Sequence, residues 1–326
     1  MRHYLDWTGD QTFARTAGRS LFIETARFWA SRFRVDDRDR AHCFGVIGPD
    51  EYHEAVDDNA FTNVMARENL RWAVEAARAA PGPDVNADEI ARWEYLATAI
   101  VDGLDPATGI YEQFAGFHDL EPLIIEEIAP RRPIAADLFL GTERLAQSQV
   151  IKQADVLMLH HLVPDAVASG SLDANLRYYE PRTAHGSSLS PGIHAALFAR
   201  NGEPRHALDL LRLAARIDLD DITDTTVLGL HLGAMGSVWQ AMVYGFLGCR
   251  PRDDALVVAP HVPNALGTVT AHMTYRNVHL TIAAAADALM ITAQAPTRVC
   301  IDHVNIDLDP GTHRWTHHHD RWDADR

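Results

Sequence analysis

Seven residues, Gly48-Pro49-Asp50-Glu51-Tyr52-His53-Glu54, crowd three carboxylates and an imidazole behind a turn-forming Gly-Pro pair. Carboxylates this close repel one another, and the most buried of them holds its proton to higher pH. A carboxylic acid that stays protonated near neutrality is what general-acid chemistry requires. Phe44, Val46 and Ile47 lead into the turn, which therefore reads as emerging from the core, and Tyr52 at its centre reads as the wall of a cleft. A solvated acidic loop fits the same cluster.

Three further stretches offer polar groups of other kinds. Gln113-Phe114-Ala115-Gly116-Phe117, shortly after Tyr111, sets an amide among aromatic rings in a glycine-containing loop. Rings to stack on and a polar fork for hydroxyls suit a sugar, although a packed loop has the same composition. In Lys152-Gln153-Ala154-Asp155-Val156 a lysine and a glutamine stand side by side between apolar neighbours. Lysine is rarely buried without a partner, so Lys152 either pairs with Asp155 on a helix face or donates to a ligand. The run His185-Gly186-Ser187-Ser188-Leu189-Ser190-Pro191-Gly192 reads as a helix start, with Ser190 as cap and Pro191 in the first turn. Helix N-termini present free N–H groups and a positive dipole end to anions. The serine hydroxyls and His185 add donors, and an ordinary serine-capped helix is the other reading. His231 lies in a second glycine-rich turn, between Gly229 and Ser237.

Metal chemistry is set aside. His53-Glu54-Ala55-Val56-Asp57 stops one ligand short of the zinc-protease pattern His-Glu-x-x-His. His160-His161, just before Pro164, reads as a helix end, and the histidines of the tail are too terminal to make a centre. No glycine-rich nucleotide loop of either common type is present.

The elements that must hold these groups are mainly helical. Apolar residues recur on one broad face between 11 and 34, and again from about 62 to 80, with Thr62 or Asn63 as cap and Pro81-Gly82-Pro83 as stop. Asn86 opens a third helix, 135 to 163 reads as helical with a break near Thr142, and helices follow at 191–200, 204–216 and 230–247. Paired helices joined by long, motif-bearing loops predict a barrel-like arrangement over residues 1–250. From residue 251 short alternating runs rich in β-branched residues predict antiparallel strands, a small β-sandwich module ending in a polar, frayed tail after His317.

The totals exclude several classes. A chain of 326 residues, 47% hydrophobic and 23% charged, is ordinary for a globular fold. Its formal charge of −16 repels phosphate backbones, which argues against a nucleic-acid partner. No apolar run is long enough to span a membrane, and the N-terminus lacks the apolar core of a signal peptide. Cys43, Cys249 and Cys300 are odd in number and far apart, so no disulfide framework is indicated. These features predict a cytoplasmic protein without a membrane partner.

The run Gly45-Val46-Ile47-Gly48-Pro49-Asp50-Glu51-Tyr52-His53-Glu54, continuing from Val56 through Asp57-Asp58-Asn59-Ala60-Phe61-Thr62-Asn63, closely resembles glycoside hydrolase family 65. That family comprises inverting disaccharide phosphorylases, of maltose, trehalose, kojibiose and relatives, and some hydrolases. The resemblance implies that Glu51 is the general acid protonating the glycosidic oxygen. It implies that Lys152 and Gln153, with Gln113, contact the sugar, and that Ser187, Ser188, Ser190, His185 and His231 cradle phosphate. The family pattern carries an acidic residue where Gly186 stands here. The implied fold is part of an (α/α)6 barrel followed by the β module, and the chain corresponds to the C-terminal portion of longer family members.

The reaction implied is phosphorolysis of an α-linked glucosyl disaccharide to β-glucose 1-phosphate. Inorganic phosphate is the co-substrate and no other cofactor is expected. An inverting hydrolase needs a second carboxylate as base, for which Glu180 and Glu112 are the candidates. An inactive or split fragment is the remaining alternative. A homodimer, or a separate N-terminal half, is the expected partner.

Overall fold

A computed structural model describes residues 1–129, 133, 135–319 and 321–324. The chain divides into two compact units, one formed by Gln11–Ser190 and the other by Met1–Asp10 together with Pro191–Arg326. The change from helix to strand falls inside the second unit, at Arg250.

The Gln11–Ser190 unit is built on three long helices, Ala17–Arg32, Ala60–Ala79 and Ala87–Ala99. Small residues at helical spacing (Ala60, Ala66, Ala73, Ala77) alternate with Val64, Leu70 and Val74 on the buried face of the middle helix. That stripe lets neighbouring backbones approach closely while the larger side chains interdigitate. Phe22, Ile23 and Ala26 are buried on the first helix, and Trp93 and Leu96 on the third. The middle helix is capped by Asn59, whose side chain accepts from the Thr62 amide, one turn earlier than the sequence pattern implies. Its end at Ala79 obeys the Pro-Gly-Pro stop. Asn86 and Glu89 form a reciprocal capping box, as their spacing predicts.

Of the helical stretch expected from 135 to 163, the break near Thr142 is present at Gly141, but beyond Ala146 the helix does not resume until Val156. The helical pieces are Asp137–Leu140, Thr142–Ala146 and Val156–Leu162, and the segment between Ser148 and Asp155 is irregular. Its backbone bonds outward instead: Gln149 N–H donates to Glu121 O and Ile151 N–H to Arg182 O. Apolar periodicity alone cannot separate a buried loop from a buried helix when both hide the same side chains.

The second unit carries the helices Arg2–Thr8, Ser190–Arg200 (from its second residue), Pro204–Arg216 and Leu232–Gln240, the last continued by a π-helical turn over Ala241–Phe246. Two sheets follow. One has five antiparallel strands in the order Arg321–Ala324, Gly311–His318, Ala288–Ala293, Val278–Ala284, Val269–Tyr275. The other orders Arg250–Arg252, Ala255–Val257, Thr297–Ile301 and Val304–Leu308, with one parallel pair between the second and third. Alternation places Leu289, Ile291 and Ala293 inside along one strand. The tail is not frayed: Gly311–His318 pairs with Arg321–Ala324, register Trp315 to Ala324, and His317 packs on Trp322 with ring centroids 4.8 Å apart. Among the described residues no helix is long and apolar enough to cross a membrane.

Candidate active site

Apart from the contacts of His231, the distances that follow lie within Gln11–Ser190. Val46 and Val56 exchange two N–H···O bonds of 2.9 Å and close the acidic loop at its neck. Phe44 and Ile47 are exposed, so the loop does not emerge from the core as their apolar character implied. Tyr52 is half-buried rather than a cleft wall, packing on the cluster of Ile125, Leu145 and Val150, and its hydroxyl accepts from Ala136 N–H at 3.2 Å. Burial pushes its phenol up to about 12.

The loop turns alternate acids in opposite directions. Glu51 has a side chain 55% exposed and pairs with the Lys152 ammonium. Asp50, next to it, is fully buried and accepts four hydrogen bonds. Its Oδ1 accepts from Lys152 N–H at 2.8 Å and Tyr52 N–H at 3.2 Å, and its Oδ2 accepts from Gln113 Nε2 at 3.0 Å. His53 Nδ1 lies 2.6 Å from that same Oδ2, and His53 Nε2 lies 2.9 Å from Ser148 O. A carbonyl and a carboxylate are both acceptors, so the ring between them is satisfied when it carries two protons. Burial opposes that charge, but the hydrogen bond and negative charge of Asp50 outweigh it and hold the imidazole above its ordinary pKa.

Asp155 is the second buried carboxyl. Its Oδ2 accepts from Asp50 N–H at 3.1 Å, and its Oδ1 accepts from Asn59 Nδ2 at 3.1 Å. Burial pushes this acid up to about 7, against the pull of the Asp50 amide and with the charge of Asp50 adding to the rise. Asn59 also donates to Gln113 O at 3.1 Å while capping its helix, so one amide joins three segments. Gly48 is where the loop passes closest: a Cβ there would stand 2.3 Å from Asp155 Oδ2 and 2.5 Å from Asn59 Nδ2. Only glycine leaves that approach open.

The other residues singled out by sequence are distributed unevenly around this network. Gln153 donates to Pro49 O, and its Oε1 is buried without a partner. Gln113 is 1% exposed and turned onto Asp50. The aromatics around it form no open wall: Tyr111, Phe114 and Phe117 are buried, with Phe114 edge-on to Phe117 at 5.2 Å and tilted on His53 at 5.1 Å. The packed-loop reading holds for those rings.

Lys152 carries the network onward, because its carbonyl accepts from Gly186 N–H at 3.1 Å. In the turn that follows, His185 adopts a left-handed backbone (φ 52°), and its Nδ1 lies 2.9 Å from Ser190 Oγ. His185 and Ser190 are each 1% exposed, whereas Ser187 and Ser188 are half-buried. Glu180 is buried, its Oε1 lying 3.4 Å from His185 Nε2. Glu112 accepts from His118 N–H at 3.1 Å. His231, in the other unit, is held by Asp218, with 2.5 Å between Nδ1 and Oδ1 and a 2.8 Å bond from its own amide to Oδ2.

Sequence reasoning singled out Glu51, Lys152 and Gln153 and passed over Asp50, His53, Asn59 and Asp155 as their supports. A signal was present, since all four lie within the runs 48–63 and 152–156. Nothing local says which members of those runs face inward.

Residues 1–240 match the model of the glycosyl hydrolase family 65 central catalytic domain. A kojibiose phosphorylase of Halothermothrix orenii is 35% identical over 275 residues, covering 80% of this chain and 35% of that protein. A maltose phosphorylase of Bacillus subtilis is 31% identical over 282 residues, covering 84% and 37%. A solved structure described as a candidate kojibiose phosphorylase from the human microbiome superposes with a TM-score of 0.89 at 26% identity, covering 97% of this chain and 48% of that one. The expected helical fold with a C-terminal β module is thus shared with that structure. The chain spans little more than a third of the length of the curated relatives it matches.

Proposed function

The chain belongs to glycosyl hydrolase family 65, and on that premise we propose that it carries out phosphorolysis of an α-linked glucosyl disaccharide with Glu51 as general acid. The observation that carries the reading is the placing of Glu51: an exposed carboxyl at a loop tip, beside Lys152, on a base of buried hydrogen bonds. A proton donor has to reach substrate while its backbone stays still.

In the proposed step the Glu51 carboxyl gives its proton to the glycosidic oxygen as the C1–O bond breaks. A phosphate oxygen attacks C1 from the opposite face, which inverts the α linkage to β-glucose 1-phosphate and frees the acceptor sugar. Lys152 exchanges Glu51 for a hydroxyl of the glucosyl ring. The Gln153 Oε1, buried and unpartnered, accepts from another. Gln113 acts from beneath, through Asp50. Ser187 and Ser188, half-buried at a turn hydrogen-bonded to Lys152, are the proposed phosphate donors, with His185 and Ser190 shaping that turn. The assignment of His231 as a further anion donor rests on its glycine-rich turn and its orientation by Asp218.

Phosphate takes the place of an activated water, so a phosphorylase needs no catalytic base. Glu180 engages His185 and Glu112 engages a backbone amide, which supports phosphorolysis over hydrolysis. The decisive assay offers several α-glucobioses with and without phosphate. Release of glucose 1-phosphate only when phosphate is present, cut about 1,000-fold in Glu51→Gln, is expected. Phosphate-independent release of glucose would overturn the reading in favour of an inverting glucosidase.

The proposed active species includes further polypeptide, either a second copy or a separate N-terminal half. Val227, Leu228 and Leu232 each expose more than 70% of their surface, and apolar patches of this kind mark contact sites. The cytoplasm is the proposed compartment.

A further inference from the structure

We infer that Asp50 is a positioning residue whose buried carboxylate locks the backbone of the acid loop to the backbone at Lys152, so that Glu51 and Lys152 meet as one unit. The inference rests on Glu51 being the acid.

Glu51 sits between two residues that the network holds. Before it, Asp50 N–H donates to Asp155 and the Asp50 carboxylate takes the Lys152 amide. After it, Tyr52 N–H donates back to Asp50 Oδ1. The Asp50 carboxylate thus fixes the peptide after Glu51 and the peptide that bears Lys152, while the Asp155 carboxyl holds the amide of Asp50 itself. His53 adds a second tie to the same segment through Ser148 O, and Gln113 closes the remaining lone pair of Oδ2.

The contacts that tie the loop to other segments span large gaps in sequence: Asp50 reaches Gln113 across 63 residues and Lys152 across 102. The Tyr52 amide bond is a local turn that the loop could form alone, but the ties to Gln113 and Lys152 are not. With Asp50 neutralised, its side chain offers N–H groups where His53 and Gln113 already present donors, and the loop shifts relative to Lys152. Displacing a proton donor is costly to rate because the acid must lie along the leaving oxygen.

The test uses leaving-group dependence, which separates loss of acid positioning from loss of the site. With α-glucosyl fluoride and phosphate, a phosphate oxygen bonds to C1 as the C1–F bond breaks and fluoride departs with the electron pair, so no proton is required from Glu51. Asp50→Asn is expected to lower kcat on the disaccharide about 100-fold while lowering turnover of the fluoride by less than about fivefold. Glu51→Gln shows the same pattern more strongly. Equal losses on both substrates in Asp50→Asn would overturn the inference and make Asp50 merely structural. A fluoride reaction that fails to rescue Glu51→Gln would overturn the acid reading instead.

Hydrogen exchange supplies a readout that needs no turnover. In Asp50→Ala, peptides covering 50–53 and 150–153 are expected to exchange roughly tenfold faster, with the helix Ala87–Ala99 unchanged. Unchanged exchange at both loops, or acceleration everywhere, would overturn the proposal. If neither Asp50 variant folds, Gln113→Met removes one donor to Asp50 at similar volume. It is expected to lower disaccharide turnover about tenfold with fluoride turnover preserved, and equal losses on both would again overturn the assignment.

Discussion

The loop Gly48–His53 and the outer face of the five-stranded sheet spend similar residues very differently. In the loop, Asp50 and His53 are at most 3% exposed and every polar atom of either side chain has a partner, three of them brought from Gln113, Ser148 and Lys152. On the sheet, His272 faces Thr281 and Thr274 faces His279 across adjacent strands, each pair 3.0 Å apart, and both histidines are exposed. Thr292 and Thr312 continue that polar face at 2.9 Å. In the sheet, water replaces any partner that is removed. In the loop it cannot, so the loss of one group strands the others. Polar residues therefore mark a cooperative site only where they are shut away together.

The largest expected effect that tests this contrast comes from His53→Ala, which leaves Asp50 buried without its counter-charge. A loss of about 3–5 kcal/mol in denaturant unfolding is expected. A loss under 1 kcal/mol would show that the loop tolerates removal of partners as the sheet does.

Next is the pH dependence contributed by Asp155. Its folded pKa of about 7 lies above the ordinary carboxyl value, so the folded chain binds more protons than the unfolded one between about pH 4 and pH 7. Stability from this group accordingly falls as pH rises through that window. In Asp155→Asn that contribution is absent, so the melting temperature of the native chain relative to the variant should decline from pH 4 to pH 7. A difference that stays flat or rises would refute the assignment. His53 adds the same sign at higher pH, because its raised value gives stability below its unfolded pKa that is lost as pH climbs through the folded one.

Gly48→Ala drives a methyl group into Asp155 and Asn59, and about 1–3 kcal/mol of destabilisation is expected from overpacking, read by chemical unfolding. The smallest effect belongs to the sheet. His272→Ala and Thr292→Val should each change stability by no more than about 0.5 kcal/mol. A change several times larger in either would erase the distinction between the two regions.

Much of this was legible beforehand. Asn86 with Glu89, the Pro81-Gly82-Pro83 stop and the alternation in Ala288–Ala293 each encode an element over a few neighbouring residues, and each formed as read. Glu51, Lys152 and Gln153 were singled out by the family resemblance of their runs, since residue types alone left a solvated acidic loop and a helix-face ion pair open. The aromatic loop around Gln113 was open to two readings, and its rings turned inward. The tail looked polar enough to fray and instead Arg321–Ala324 found a strand partner in Gly311–His318.

Residue types and their order alone determined that this chain carries a candidate proton donor, a lysine–glutamine pair and a serine turn, on helices that precede a β module. Tertiary structure alone decided that Asp50 faces in while Glu51 faces out, and that Lys152 meets Glu51 and not Asp155. An irregular loop has no period from which sides can be counted. Which polar groups it buries depends on partners brought from 60 to 100 positions away, and those partners exist only once the chain has folded.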